Sequence, residues 1–330
     1  MTRIVWSLCG ALAVSVGCSS AAPSTLPDAG AALDAGAALD ARAELDAGAA
    51  LDATAGLDAA PGLDAGAALD ASVTTDAGET DAGPVEGFKT LYIGHSFGRP
   101  FAQRVTALAT NVGVENHQQE IVFSGGASGA PLALWQNDAN RNAAQAILDG
   151  GDVDVLVMIC CSEGWVDTGE DQGAINWIDY ARRQNPDTRF AMAFPWPDFP
   201  EQYADGETFS ARWEMGYAIW RQTIDGLRTR YPGVEIFSIP HGRAAGQLWT
   251  LFDRGALPEV SAVRGRPNVA IFTDEKGHAG NIFKDMGGAI WVGAIYGVDV
   301  SGMTFDRPYQ TDIAGMAQTI VSEDEYTRQP

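Results

Sequence analysis

Basic residues are scarce in this sequence: 21 Lys and Arg stand against 43 Asp and Glu in 330 residues, a net charge of −22. A chain this acidic offers no electrostatic footprint for nucleic acid. Cysteine is scarce too, with four in all. Cys160 and Cys161 are adjacent, and neighbours make a strained bridge at best, so no disulfide framework is expected. The four histidines, His95, His117, His241 and His278, show no metal-ligand spacing with surrounding acids. No metal and no cofactor are implied. The mostly apolar run at 4–16 is too short to cross a bilayer as a helix.

That run follows Arg3, the layout of an export signal. Ser15-Val16-Gly17-Cys18 resembles a bacterial lipoprotein cleavage site, where the cysteine becomes the lipidated amino terminus. Ser15 departs from the usual aliphatic residue, and an ordinary signal peptide with an incidental cysteine is the alternative. From 19 to 86 bulky side chains are rare. Asp28, Asp34, Asp40, Asp46, Asp52, Asp58, Asp64, Asp70 and Asp76 recur every six residues among Ala, Gly and Leu. Six is not a helical period. A β-helix of that period needs large inward residues, and Leu is missing from several repeats. With so little to bury, the stretch cannot offset its ordering entropy. The expected organisation is a signal with its lipidation site at 1–18, a disordered acidic linker at 19–86, and one domain at 87–330. An exported protein of the cell envelope follows, held to the membrane by its lipid alone.

In the domain, apolar runs at 90–93, 120–123, 153–159, 189–194 and 234–239 predict five strands. Helical spacing follows Pro100, fills 138–148, 243–252 and 281–296, and runs through Trp213, Tyr217, Trp220, Ile224 and Leu227. Strands alternating with helices predict an α/β three-layer sandwich on a five-stranded parallel sheet. Ligands of such sheets bind beyond the carboxyl ends of the strands.

Thr90-Leu91-Tyr92-Ile93-Gly94-His95-Ser96-Phe97-Gly98-Arg99-Pro100 places a serine where the first strand turns into a helix. A hydroxyl there is set to attack, with helix N–H groups nearby for an oxyanion. A nucleophilic serine needs a base, and the base an orienting acid. Asp274-Glu275-Lys276-Gly277-His278 puts two acids within one turn of a histidine. Either Asp274 or Glu275 could hold the imidazole; the shorter aspartate favours a more rigid geometry. A solvated acidic turn with an incidental histidine is the plainer alternative.

Gly94-His95-Ser96-Phe97-Gly98 also fits the Gly-x-Ser-x-Gly elbow of α/β-hydrolases. That fold needs several strands before its elbow, and here only the linker precedes the first strand. The order of the blocks instead resembles the SGNH (GDSL-like) hydrolases over most of 90–296. The resemblance implies a flavodoxin-like fold. It makes Ser96 the nucleophile and equates Ser124-Gly125-Gly126-Ala127-Ser128-Gly129 with the second block, so Gly129 becomes a backbone oxyanion donor beside the Ser96 N–H. Asp274 and His278 become acid and base. Two departures stand out. The family's acid lies three residues before the histidine, where this chain has Glu275. Its oxyanion asparagine after the third strand is replaced by Cys160-Cys161-Ser162-Glu163-Gly164, which leaves Ser162 as a third donor.

His95 is expected to pack or line the pocket. His241 is expected at a helix start or against substrate. Trp165 and Trp196, on strand-end loops beside Glu163 and Asp198, suit stacking on a sugar ring; apolar closure of the loops explains them equally. The implied function is serine-dependent hydrolysis of carboxylic esters, with an acylated carbohydrate as the first candidate substrate and a lipid or small acyl ester as the next. The alternative is a catalytically weakened carbohydrate-binding or surface interaction domain.

Overall fold

The computed structural model describes residues 83–159 and 171–327. The expected signal segment with Cys18, the repeats up to residue 82, and Cys160, Cys161, Ser162 and Trp165 lie outside the described residues.

Five parallel strands form the main sheet: β1 (Lys89–Gly94), β2 (Gln118–Phe123), β3 (Val155–Ile159), β4 (Arg189–Ala193) and β5 (Ile236–Ile239). Their order is β2-β1-β3-β4-β5, the flavodoxin-like arrangement. All of β3 is buried, as a strand covered on both faces must be. Among the described residues eight α-helices accompany the sheet: α1 (Arg99–Asn111), α2 (Pro131–Gln136), α3 (Asp138–Leu148), α4 (Asp171–Gln184), α5 (Gly206–Arg230), α6 (Gly242–Asp253), α7 (Asn281–Tyr296) and α8 (Ile313–Glu323). Right-handed crossovers from β1 to β2 and from β2 to β3 run in opposite directions, so they put α1 and the α2–α3 pair on opposite faces. The result is a three-layer sandwich.

Two short parallel ribbons lie outside the main sheet. Val85–Glu86 pairs with Val114–Glu115, so strand pairing begins two residues before 87. Ala262–Arg264 pairs with Ala270–Phe272.

α5 shows how one stripe of sequence becomes a face. Asp205 caps it by accepting from the Thr208 N–H at 2.7 Å. Phe209, Trp213, Tyr217, Trp220, Ile224 and Leu227 then recur at three- and four-residue spacing, and all are buried.

One helix pair decides where the chemistry falls. α1 begins with Pro100 in its first turn and buries Phe101, Ala102, Val105, Leu108 and Ala109. It lies against α7, which is buried almost throughout. α7 lets it come close because Gly287 and Gly288 carry no side chains. A Cβ on Gly287 would strike the Phe101 ring, and one on Gly288 would come 2.6 Å from Leu108 Cδ1. Burying Phe101 fully contributes about 2–3 kcal/mol to this contact. The turn that opens α1 and the turn that precedes α7 are thereby held together, although they are far apart in sequence.

Candidate active site

β1 ends at Gly94, and the chain turns through Ser96–Gly98 into α1. The turn is tied to one residue. His95 O accepts from the N–H of Gly98 at 3.1 Å and of Arg99 at 3.2 Å, and His95 Nδ1 accepts from the Phe97 N–H at 3.3 Å. The two glycines of the turn straddle Ile159, the last residue of β3. A Cβ on Gly94 would collide with the Ile159 Cβ, and one on Gly98 would fall among its side-chain carbons. Ser96 is left partly exposed at the carboxyl end of the sheet. Among the described residues its N–H has no hydrogen-bond partner.

The second turn runs from Ala270–Phe272 into α7. The Thr273 N–H donates to His278 O at 2.7 Å, closing a tight loop. Gly277 sits inside it at φ +96°, a backbone state that a side chain resists. Asp274 Oδ1 accepts from the N–H of Gly277 at 3.0 Å and of His278 at 3.1 Å. Its other oxygen lies 2.6 Å from His278 Nδ1. Burial works to raise the Asp274 pKa. The hydrogen bonds from the His278 backbone and ring and from Gly277 outweigh it, and the carboxyl stays below its ordinary value. Glu275, the other candidate acid, is turned away: it is highly exposed and faces Arg264 Nη1 at 3.5 Å.

Folding brings the two turns into contact. His278 Nε2 lies 2.8 Å from Ser96 Oγ across 182 residues of sequence. With Nδ1–H donated to Asp274, the neutral ring presents an acceptor to the serine hydroxyl. That is the connectivity of a serine–histidine–acid triad.

Gly129 ends a 3-10 turn (Gly126–Gly129) just beyond β2 and is buried. A Cβ there would come 2.6 Å from both Gly94 O and the His95 Cβ, so only glycine fits beside the serine turn. Gly129 is therefore packed against the backbone that leads into the serine turn. Ser162 and Trp165 fall outside the described residues.

For Trp196 and His241 burial rules out the substrate contact and leaves the other expectation, apolar closure of the loop for Trp196 and a helix start for His241. Trp196 is 3% exposed and cannot offer its face to a sugar. It is a wedge beneath the site: its ring stacks on Phe97 at 4.4 Å, and its Nε1–H donates to Gly277 O at 2.8 Å. Trp196 thus links the serine turn to the histidine turn from below, and His278 stands edge-on to the same Phe97 ring at 5.3 Å. His241 is fully buried. It is the N-cap residue of α6, but its ring makes no capping bond. Instead Nδ1 faces Ile239 O at 3.2 Å and Nε2 faces Phe97 O at 3.3 Å. Burial pushes its pKa down to about 4, so the neutral ring can donate to only one of these carbonyls. His95 is also driven down to about 4, by burial first and then by His241, Lys276 and His278. Both rings pack and shape the turn without exchanging protons at neutral pH. Among the described residues no three His, Cys, Asp or Glu side chains converge as metal ligands.

The residue that sequence reasoning passed over is Phe199, beside the expected Trp196. It is 44% exposed and left-handed, at φ +55°. Its N–H donates to Lys276 O at 3.2 Å, inside the histidine turn. Asp198-Phe199-Pro200 gave no periodic signal to read.

No protein-family model and no curated protein matches this chain. Solved structures do. A DUF4886 family protein from Bacteroides uniformis superposes with a TM-score of 0.50 at 15% identity, over 72% of this chain and 95% of that one. The salicylyl-acyltransferase SsfX3 from a tetracycline biosynthetic pathway reaches 0.36 at 13% identity, over 62% of this chain and 53% of its own. The periplasmic domain of a lipopolysaccharide acetyltransferase from Salmonella serovar Paratyphi A reaches 0.33 at 12% identity, over 60% and 80%. At these identities the first likeness speaks to fold alone: the α/β sandwich is shared.

Proposed function

We propose that this chain cleaves carboxylic esters through an acyl-enzyme on Ser96, as a divergent SGNH-type serine hydrolase. The observation that carries the reading is the Ser96 Oγ–His278 Nε2 distance of 2.8 Å, with Asp274 Oδ2 2.6 Å from the opposite ring nitrogen. Ser96 Oγ bonds to the ester carbonyl carbon as its proton passes to His278 Nε2. The tetrahedral oxyanion is met by the Ser96 N–H, joined by the Gly129 N–H as the oxyanion displaces its bond within the 3-10 turn. The C–O bond to the alcohol then breaks, and His278 returns the proton to the departing oxygen. A water molecule repeats the sequence, giving its proton to His278 and releasing the carboxylic acid and Ser96. Asp274 keeps the imidazole in the tautomer that can accept from serine and stabilises the imidazolium. The proposal extends to cellular placement: export, lipidation at Cys18 and an acidic tether at 19–86.

A fluorophosphonate probe tests the reading on the full-length chain. Wild type should be labelled and should hydrolyse 4-nitrophenyl esters; S96A should do neither. Folded wild type that takes no label and turns over no ester in a panel of aryl, alkyl and sugar acetates would leave a binding domain instead.

A further inference from the structure

We propose that Phe199 is the platform on which the ring of the ester's alcohol portion packs, so that it selects esters of cyclic alcohols, aryl or sugar. The inference rests on the ester-cleavage reading above and narrows its substrate class.

Three observations converge on this residue. The first is exposure. Phe199 is 44% exposed, one of a few large apolar side chains left open among the described residues. The second is backbone strain. Phe199 lies at φ +55°, ψ +64°, a region that a bulky residue rarely occupies. The residue before a proline ordinarily sits in the extended region, and Pro200 follows. Among described non-glycine residues only Asn116 shares a positive φ, and asparagine tolerates it. Strain kept at an exposed aromatic beside a catalytic turn marks a place where the side chain has work that glycine cannot do.

The third observation is placement. The loop carrying Phe199 is fastened to the histidine turn at several points. The Phe199 N–H donates to Lys276 O at 3.2 Å, and Lys276 Nζ lies 2.9 Å from Asp198 Oδ2. The same ammonium lies 5.6 Å from the Phe199 ring centroid. A Cβ on Gly277 would come 2.9 Å from Pro200 Cδ, so loop and turn are in close contact. Strand order then gives the side of the scissile bond. Gly129 follows β2, on one flank of the strand that delivers Ser96; the Phe199 loop follows β4, on the other. The oxyanion is held on the Gly129 flank. The leaving alcohol is protonated by His278, on the Phe199 flank. An exposed ring there meets the alcohol, and a flat apolar face matches an aryl ring or the C–H face of a pyranose.

The experiment uses full-length wild type, F199G and F199W with three acetates: ethyl acetate, phenyl acetate and an O-acetylated methyl pyranoside. All share one acyl group. F199G should lower the kcat/KM ratio of the cyclic esters to ethyl acetate about tenfold, mostly through KM. F199W should restore it. Which cyclic ester responds more distinguishes an aryl from a sugar alcohol. An unchanged ratio in F199G overturns the inference while labelled, active wild type keeps the ester reading. Wild type that takes no fluorophosphonate ends both.

Discussion

Asp274 grips His278 twice. One carboxylate oxygen lies 2.6 Å from the ring Nδ1, and the other accepts from the backbone N–H of the same histidine at 3.1 Å. One side chain therefore orients the imidazole and adds to the Thr273 bond that closes its turn, and Glu275 makes neither of these contacts. D274N should retain much of the backbone grip through its amide oxygen but present the wrong partner to Nδ1. We expect kcat for 4-nitrophenyl acetate to fall about 10³- to 10⁴-fold with KM little changed. E275Q should stay within about twofold, since among the described residues Glu275 pairs with Arg264, at the surface. Steady-state kinetics on both variants check this, and equal losses would return Glu275 to the site.

The glycines flanking Ser96 make a sharper packing test. The three atoms nearest a Cβ on Gly98 would all be side-chain carbons of Ile159. G98A should cost about 1–3 kcal/mol of stability from overpacking. In an I159A background most of that cost should vanish, because the offending atoms are gone. Gly94 differs: its Cβ would also come 2.9 Å from the Ile159 carbonyl oxygen, which truncation leaves in place. G94A should remain costly in both backgrounds. Denaturant unfolding of the two double-mutant cycles reads the difference directly. Equal rescue of G94A and G98A would show that backbone approach does not matter here.

These contacts also mark what sequence alone can and cannot carry. The five-strand alternation was legible because four strands of the sheet are largely apolar and buried, and the edge strand β2 still carries Ile121-Val122-Phe123. The acid–histidine pair was legible because its spacing is local: Asp274 and His278 meet within one turn. Trp196 was misjudged for the opposite reason. Its polar neighbours suggested an open loop, yet its Nε1–H finds a carbonyl 81 residues away, and only tertiary packing can decide that. α4 and α8 went unread beside the stronger periodicity of α5 and α7. The left-handed backbone at Phe199 had no signal, since composition favours glycine or asparagine in that state.

The buried position of Trp196 predicts a split in kinetic parameters. W196F keeps a ring to stack on Phe97 but loses the hydrogen bond to Gly277 O. The loop holding His278 should loosen against the serine turn, so kcat should drop about tenfold while KM stays within about twofold. Stability should fall by about 1 kcal/mol for the lost bond, less if water reaches Gly277 O. A KM effect with kcat intact would mean that substrate touches this indole after all.

Two buried histidines set the acid limit of the fold. His95 and His241 are each held neutral, with folded-state pKa values pushed down to about 4, burial being the main cause. Unfolded, each returns to the ordinary value of about 6.5. Between these pH values the unfolded chain binds more protons than the folded one. The stability these histidines allow is therefore intact above about pH 6.5 and declines as the pH falls toward 4, by up to about 1.4 kcal/mol per pH unit for each ring. H95N separates the two contributions. An asparagine oxygen can accept from the Phe97 N–H as His95 Nδ1 does, so the serine turn should survive. Urea midpoints measured from pH 7 to pH 4.5 should then fall less steeply in H95N than in wild type, with the His241 share of the slope remaining. If both proteins lose stability in parallel across that range, His95 already carries its proton in the folded state and does not sit there as a neutral ring.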